Sequence, residues 1–398
     1  MNRLERLIAI SKKEERRVVG MMSGTSVDGI DAALVRIKGN AQTQVVMTLE
    51  RFATFPYPED VKSRVKTLFD REKADIDEIC QLDYIVGELF AMAVNRIVAD
   101  AGMKNEDVDL VAAAGQTVWH HPRPTAEIEF LGQTFSTRST LAVGQSAVIA
   151  ERTGIVTVGD LRVRDIAAGG HGAPLVAYFD WVQGRHKKRG RAMQNIGGIA
   201  NVSYVKPGAK LEDISAFDNG PGNMVIDELM FILTDGAEVF DRDGERAARG
   251  TVREDILAWC LSNPYFELKP PKTTGRERFG RQYARQMIDT FPDAAPDDLI
   301  ATATALTAES IADSYRRWVF PLGPVDDVIV AGGGARNPVM MEMLRQRLPG
   351  VDVLAYDYPD AKEAMAMALI ANDSILGLPT NAPSATGAAP TILGKICL

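Results

Sequence analysis

The hydrophobic positions of this chain fall into one pattern that appears twice. In "VVGMMSGTSVDGIDAALVRIKG", Val18 to Gly39, an apolar strand leads into a knot of small residues and two acids, and a second apolar strand follows. A third strand is predicted in "QVVMTLERFATFPYP" and an amphipathic helix over 60–73. In "CQLDYIVGELFAMAVNRIVADAG", Leu82, Ile85, Val86, Leu89, Phe90, Ala93 and Ile97 stand at helical spacing, and Gly102 ends the run. "VDLVAAAGQTVWHH" reads as a buried strand entering a loop, and "APLVAYFDWVQ" as a helix with Pro174 near its start. The opening pattern then returns over 193–208 in "MQNIGGIANVSYVKPG". An Asp-Asn-Gly-Pro-Gly loop and several helices come next. "VDDVIVAGGGARNPVMMEMLRQRLPGVDVLAY" then gives strand, glycine turn, helix and strand. The tail, "LPTNAPSATGAAPTILGKICL", reads as an extended surface strap. The class is α/β, with helix-covered sheets in two halves of related build.

Composition narrows the function classes. The chain has 398 residues, enough for two or three domains, and 46% of them are hydrophobic. A net charge of −8 argues against a nucleic-acid or anionic-membrane partner. No apolar run reaches the roughly 18 residues of a membrane span. The N-terminal "MNRLERLIAISKKEERR" lacks the apolar core of a signal peptide and reads as a short surface helix or frayed leader. Cys80, Cys260 and Cys397 are too scattered for a metal site or a disulfide framework, so a reducing cytoplasm is the simplest location. The adjacent pair His120 and His121 does not make a zinc site.

The small residues carry the candidate chemistry. A plain hairpin needs only two turn residues. Here Ser23 is followed by Gly24, Thr25, Ser26, Val27, Asp28, Gly29, Ile30 and Asp31, a turn whose exposed N–H groups can cradle phosphate. Gly197 and Gly198 would approach a nucleotide from the other half. Gly332, Gly333 and Gly334, with Asn337 behind them, would bring backbone close to it at a helix N-terminus. The chain has neither the glycine-lysine signature of a P-loop nor a strand–GxGxxG–helix unit.

Nine motifs, in order, resemble the anhydro-N-acetylmuramic acid kinase family of the actin/Hsp70/sugar-kinase superfamily: "MSGTSVDGID", "GQTVWH", "GDLRVRDIAAGGHGAPL", "NIGGIANVS", "FDNGPGNMVID", "DRDGERAARG", "PPKTTGRERF", "VAGGGARN" and "KEAMAMA". The resemblance implies an actin-like (ribonuclease H-like) fold of two lobes around a nucleotide cleft. Lobe one would be 16–175 plus 362–398, and lobe two 176–361. It implies an ATP-dependent kinase, assisted by Mg2+, in which water opens the 1,6-anhydro bridge and O6 is phosphorylated. Asp218 matches the family's base, and Glu363 a glutamate that positions the water. Gln116, Asp160, Arg162 and Arg164 match the sugar-facing side, with Gly220 and Asn223 of the glycine-proline loop. Lys272, Thr273, Thr274 and Arg276 would order the cleft wall or meet substrate. The resemblance also implies a small anhydro sugar and ATP as partners; a homodimer is expected, with neither nucleic acid nor membrane as partner.

Read without the family, Asp218 and Asp28 are equally turn residues bonding their own backbone, and Glu363 a first-turn acid. Asp28 is the nearest candidate magnesium ligand, because Met22 stands where many kinases of the superfamily carry an aspartate. Ala114, His171 and Ala364 depart from the family's usual His, Gln and Gly, and "TAEIEFLGQTFSTRSTLAVGQ" is longer. These changes surround the sugar side and leave a levoglucosan kinase as the alternative. A non-catalytic, ATP-binding sugar sensor is the alternative of another class.

Overall fold

The computed structural model describes residues 2–24 and 26–398. The phosphate-binding expectation for Thr25 therefore lies outside the described residues. Contacts divide the chain into one unit that runs to Val182 and resumes at Ala361–Leu398, and a second of Gln183–Asp360. The helix Val176–Gly184 starts within the first unit rather than the second, as the sequence boundaries had it. Its Tyr178 hydroxyl donates to Asp373 Oδ2 at 2.6 Å, on the helix Lys362–Ser374.

The first unit is built on β1 (Glu15–Ser23), β2 (Gly29–Lys38), β3 (Val46–Pro56) and β4 (Leu110–His121), followed by β5 (Ile128–Phe130), β6 (Gln133–Phe135), β7 (Ser139–Val143) and β8 (Val156–Gly159). Among the described residues its sheet has seven strands. The path β3-β2-β1-β4-β8 is extended by Lys395–Cys397, and β7 pairs with β4. β1, β2 and β3 are antiparallel neighbours, whereas β4 lies parallel to β1 and β8 parallel to β4. β5 and β6 form a separate small hairpin. Val18, Val19 and Met21 of β1 are all fully buried, because helices cover both faces of the sheet. On one face lies the helix Ile76–Asp100, which inserts Leu82, Val86, Phe90 and Ile97. On the other lies Lys362–Ser374, close enough that a Cβ on Gly20 would run into the Ala364 carbonyl oxygen.

The second unit repeats the plan. β9 (Arg191–Ile196), β10 (Ile199–Val205), β11 (Ser215–Pro221), β12 (Asp327–Ala331) and β13 (Asp352–Ala355) run in the order β11-β10-β9-β12-β13. Again the first three are antiparallel and the last two parallel to the first. Each unit thus has the third-second-first-fourth-fifth order of an actin-like, ribonuclease H-like half, and the two hairpins read from the sequence lie in separate sheets. The core of the second unit forms around the helix Pro296–Ser314, with Ile300, Leu306 and Ile311 fully buried.

Three local expectations change. The helix predicted over 60–73 is Glu59–Thr67. Asp218 lies inside β11, which runs on to Pro221, instead of ending the strand. The tail is not an extended surface strap: Thr380, Asn381, Ala382, Thr386 and Leu393 are buried, and Pro383–Thr386 is a short helix. No helix among the described residues is long and apolar enough to cross a membrane.

Candidate active site

In both units the candidate residues gather at the carboxyl ends of parallel strands, where open α/β sheets bind ligands. In the first unit, β1 ends at Ser23, whose hydroxyl lies 2.9 Å from the Gly29 carbonyl oxygen and donates to Gln116 Oε1 at 2.6 Å. Gln116, fully buried on β4, returns its amide N–H to the Gly24 carbonyl at 3.2 Å. Gln116 thus braces the hairpin turn from the neighbouring strand. Val27 holds a left-handed backbone (φ 57°) that a β-branched residue rarely takes, and it is fully buried. A sequence pattern of small residues signals a tight turn, but not that Val27 is the pivot. Asp28 is largely exposed, with a carboxylate oxygen 3.5 Å from Lys62 Nζ. Asp31 Oδ1 accepts the Thr54 hydroxyl at 2.6 Å, and burial pushes its carboxyl above the usual range.

The acids and cations of the first unit have unequal commitments. Glu363 occupies the first turn of Lys362–Ser374. Burial raises its carboxyl, Lys362 and Arg162 oppose the rise, and Asp31 and Asp180 add to it. Its neighbour Lys362 is 3% exposed and pairs with the equally buried Asp180 at 2.8 Å. Asp160 pairs with Lys395 at 2.8 Å and so ties the loop after β8 to the C-terminal strand. Arg164 is exposed on the short helix Val163–Ala167. Arg162 donates through one terminal nitrogen to the Gly172 carbonyl at 2.8 Å, while its Nε is buried with no partner. Sequence reasoning missed Asp165, which is fully buried. It accepts the Gly172 N–H at 2.7 Å, the Asn381 amide at 3.0 Å and the Thr386 hydroxyl at 2.8 Å.

In the second unit Asp218 is fixed from several directions. Its N–H donates to the Lys272 carbonyl at 3.1 Å, and its own carbonyl accepts the Tyr265 hydroxyl at 2.8 Å. Carboxylate Oδ2 accepts the Thr274 N–H at 2.9 Å, and no described residue bonds Oδ1. Burial pushes the carboxyl up to about 6, against the Thr274 bond and the Lys272 charge, with Glu277 adding to the rise. Lys272 is 6% exposed, and its ammonium sits 4.6 Å from the Tyr265 ring centre. The Thr274 hydroxyl is buried and unpartnered. Gly220 faces the core, where a Cβ would stand 2.7 Å from the Phe266 ring. Asp227, in the first turn of the helix Met224–Leu233, is another acid that sequence reasoning missed. Burial and Glu228 push it up to about 7.

Three backbone turns of this unit meet at the ends of β9 and β12. The Asn223 N–H donates to the Gly197 carbonyl at 2.7 Å, and those of Gly222 and Met224 to the Gly198 carbonyl at 2.9 and 3.1 Å. Gly332 has φ 82°, and a Cβ there would lie 2.6 Å from the Ile196 carbonyl oxygen, so only glycine fits. Behind it, Asn337 Oδ1 caps the helix Pro338–Arg347 by accepting the Val339 and Met340 N–H groups, each at 3.0 Å. The structure therefore unites the second-hairpin and triple-glycine predictions at one edge.

No group of three His, Cys, Asp or Glu side chains is arranged to hold a metal among the described residues. A magnesium ion held mainly by nucleotide phosphates and water would need one or two protein carboxylates at most. Asp28 and Asp31 flank the turn and offer that chemistry.

Among known proteins, this chain is 47% identical to the anhydro-N-acetylmuramic acid kinase of Caldanaerobacter subterraneus subsp. tengcongensis, over 99% of this chain and 100% of that one. It is 40% identical to the enzyme of the same name from Salinibacter ruber, over 99% of each. Among solved structures, the Acidaminococcus fermentans (R)-2-hydroxyglutaryl-CoA dehydratase component A aligns with a TM-score of 0.46 at 15% identity, covering 90% of this chain and 99% of that one. The family model described as anhydro-N-acetylmuramic acid kinase matches residues 16–398, and the chain belongs to that family.

Proposed function

We propose that the protein converts 1,6-anhydro-N-acetylmuramic acid, ATP and water to N-acetylmuramic acid 6-phosphate and ADP. The observation that carries the mechanism is the state of Asp218. One carboxylate oxygen is anchored by Thr274, the other is open, and burial raises the group's basicity toward neutrality. A base must be deprotonated at working pH yet basic enough to take a proton, and a pKa near 6 meets both needs.

In this reading Asp218 Oδ1 takes a proton from water, whose oxygen bonds to C1 of the sugar. The C1–O6 bond breaks, and its electrons go to O6. O6 then attacks the γ-phosphorus of ATP, and ADP leaves. Glu363 orients the water. The hairpin turn after β1 and the glycine turns at 197–198 and 332–334 supply N–H groups for the nucleotide phosphates, while the N–H groups of 222–224 brace the turn at 197–198. Mg2+, with Asp28 or Asp31 as its protein partner, would neutralise phosphate charge. For the sugar we assign Gln116, Asp160 and Arg162 in the first unit and Asn223 in the second; Gly220, which faces the core, supports the strand instead. A supply of ATP places the reaction in the cytoplasm. The relatives' names support the muramic acid substrate and give no support to levoglucosan.

The test is turnover in Mg-ATP and 18O-labelled water with 1,6-anhydro-N-acetylmuramic acid and, separately, levoglucosan. The expected product carries one phosphate and one 18O at C1, formed from the muramic sugar at much the higher kcat/KM. Preference for levoglucosan, or a product without 18O, would overturn the reading.

A further inference from the structure

The loops at the sugar side of the first unit bring several nitrogen-bearing side chains together whose ligand atoms the mechanism above does not assign. His120 and His121 end β4, Arg162 follows β8, and His171 lies in the 169–172 loop. The three histidines are exposed, and the charged or titratable neighbours of His120 are Arg162, His171 and His121. Beside them is Arg162, whose Nε is buried with no partner among the described residues. A guanidinium N–H without a partner is costly, and an anion is the ligand that satisfies it best.

The acids nearby do not fill this role. Those facing Arg162 are Asp165 and Glu363. Asp165 is already bonded to Gly172, Asn381 and Thr386. Glu363 makes no hydrogen bond to Arg162 among the described residues, and burial disfavours its charge. The loop is held by backbone, leaving the His171 ring to face solvent: the His171 N–H donates to the Thr386 carbonyl at 2.9 Å, and Arg138 binds the Gly169 carbonyl at 2.8 Å. His120 Nδ1 lies 3.3 Å from the Thr140 hydroxyl, which turns the ring's other nitrogen outward.

We propose that Arg162, His120 and His171 form the receptor for the carboxylate of the sugar's lactyl ether. The assignment rests on the muramic acid reading above. Arg162 supplies the buried donor, and the two imidazoles close over the anion from the solvent side. The same donors could instead meet a phosphate of ATP, but the glycine turns at 197–198 and 332–334 and the hairpin turn after β1 already offer N–H groups for phosphates, so the carboxylate is the better match.

The experiment compares kcat/KM for 1,6-anhydro-N-acetylmuramic acid with that for its lactyl carboxamide, at saturating Mg-ATP. The readout is the acid-to-amide ratio, which a general loss of folding or of kinase chemistry does not move. Wild type should prefer the acid. Arg162→Met should lower the ratio roughly ten- to a hundredfold, the worth of a charge-assisted hydrogen bond. His171→Ala, which removes an exposed ring and keeps the backbone bond to Thr386, should lower it several-fold. An unchanged ratio in His171→Ala and Arg162→Met overturns the proposal. So does a rise in KM for ATP with the sugar ratio intact, since that assigns these side chains to phosphate. Equal wild-type turnover of both sugars defeats the carboxylate receptor alone. Turnover of neither defeats the muramic acid reading as well.

Discussion

At the scale of single residues, Asp218 couples reactivity to instability. Its pKa of about 6 stands above the ordinary 3.8 because burial penalises the anion. The unfolded chain ionises at the lower value. Folding therefore carries no penalty from this group below pH 3.8, a growing one from there to about 6, and the full one above. Asp218→Asn keeps an oxygen for the Thr274 N–H and removes the charge. It should stabilise the protein on the order of 2–3 kcal/mol at pH 7.5, with the gain fading to nothing by pH 4. Paired thermal or denaturant melts at the two pH values check this, and equal melting at pH 7.5 would count against a buried charge. The same variant should lose about 10²–10⁴ in kcat, because an amide cannot accept the proton. In wild type, kcat/KM should fall as pH drops through about 6. The identity of Asp218 was visible in its motif. Its environment was not, since Tyr265, Lys272 and Thr274 come from a segment some fifty residues on, and only the fold brings them to the carboxylate. Asp165 was missed for a similar reason: its partners Asn381 and Thr386 lie in the tail, far along the chain.

At the scale of elements, the most exacting contact is between β1 and the helix Lys362–Ser374. Gly20 lets the strand lie against the helix backbone at Ala364, next to Glu363, and at Ala368. Gly20→Val would force the two apart. It should cost on the order of 1–3 kcal/mol of stability. It should also lower kcat more than it raises KM for ATP, because the helix that carries Glu363 moves while the second unit's glycine turns stay in place. Steady-state kinetics beside a melting curve test both, and unchanged kcat in a destabilised variant would separate Glu363 from the chemistry. The strands and long helices were legible because their apolar periods are regular. The helix Ile76–Asp100 starts before the residues that gave it away, since Asp75 caps it by accepting the Asp77 N–H at 2.8 Å. The tail was misread for want of a period: proline, alanine and threonine suggest a solvated strap, whereas here their small side chains let backbone and hydroxyls reach buried partners.

At the scale of the whole molecule, the chain is one folding plan used twice, and its tail returns to complete the first copy. Lys395–Cys397 covers the edge of β8, and Asn381 and Thr386 supply both bonds to Asp165 Oδ1. An edge strand and a buried carboxylate are each liabilities when left uncovered. The paired change Asn381→Ala with Thr386→Val keeps the fold's shape but leaves that oxygen buried and unbonded. The expected loss is on the order of 1–3 kcal/mol, since a buried acceptor is left without its donors. The tail's other task is to hold the 169–172 loop, through the His171 N–H and the Gly172–Asp165 bond. The damage should therefore reach the sugar before the nucleotide. Below the melting temperature, KM for the anhydro sugar should rise while KM for ATP, served by glycine turns in other segments, changes little. Calorimetry and initial rates on the same preparation measure both effects. A lowered melting temperature with an unaltered sugar KM would make the tail a structural element only. A rise in both constants together would mean that the phosphate turns of the first unit also depend on Asp165, through the sheet that β1, β4 and β8 share.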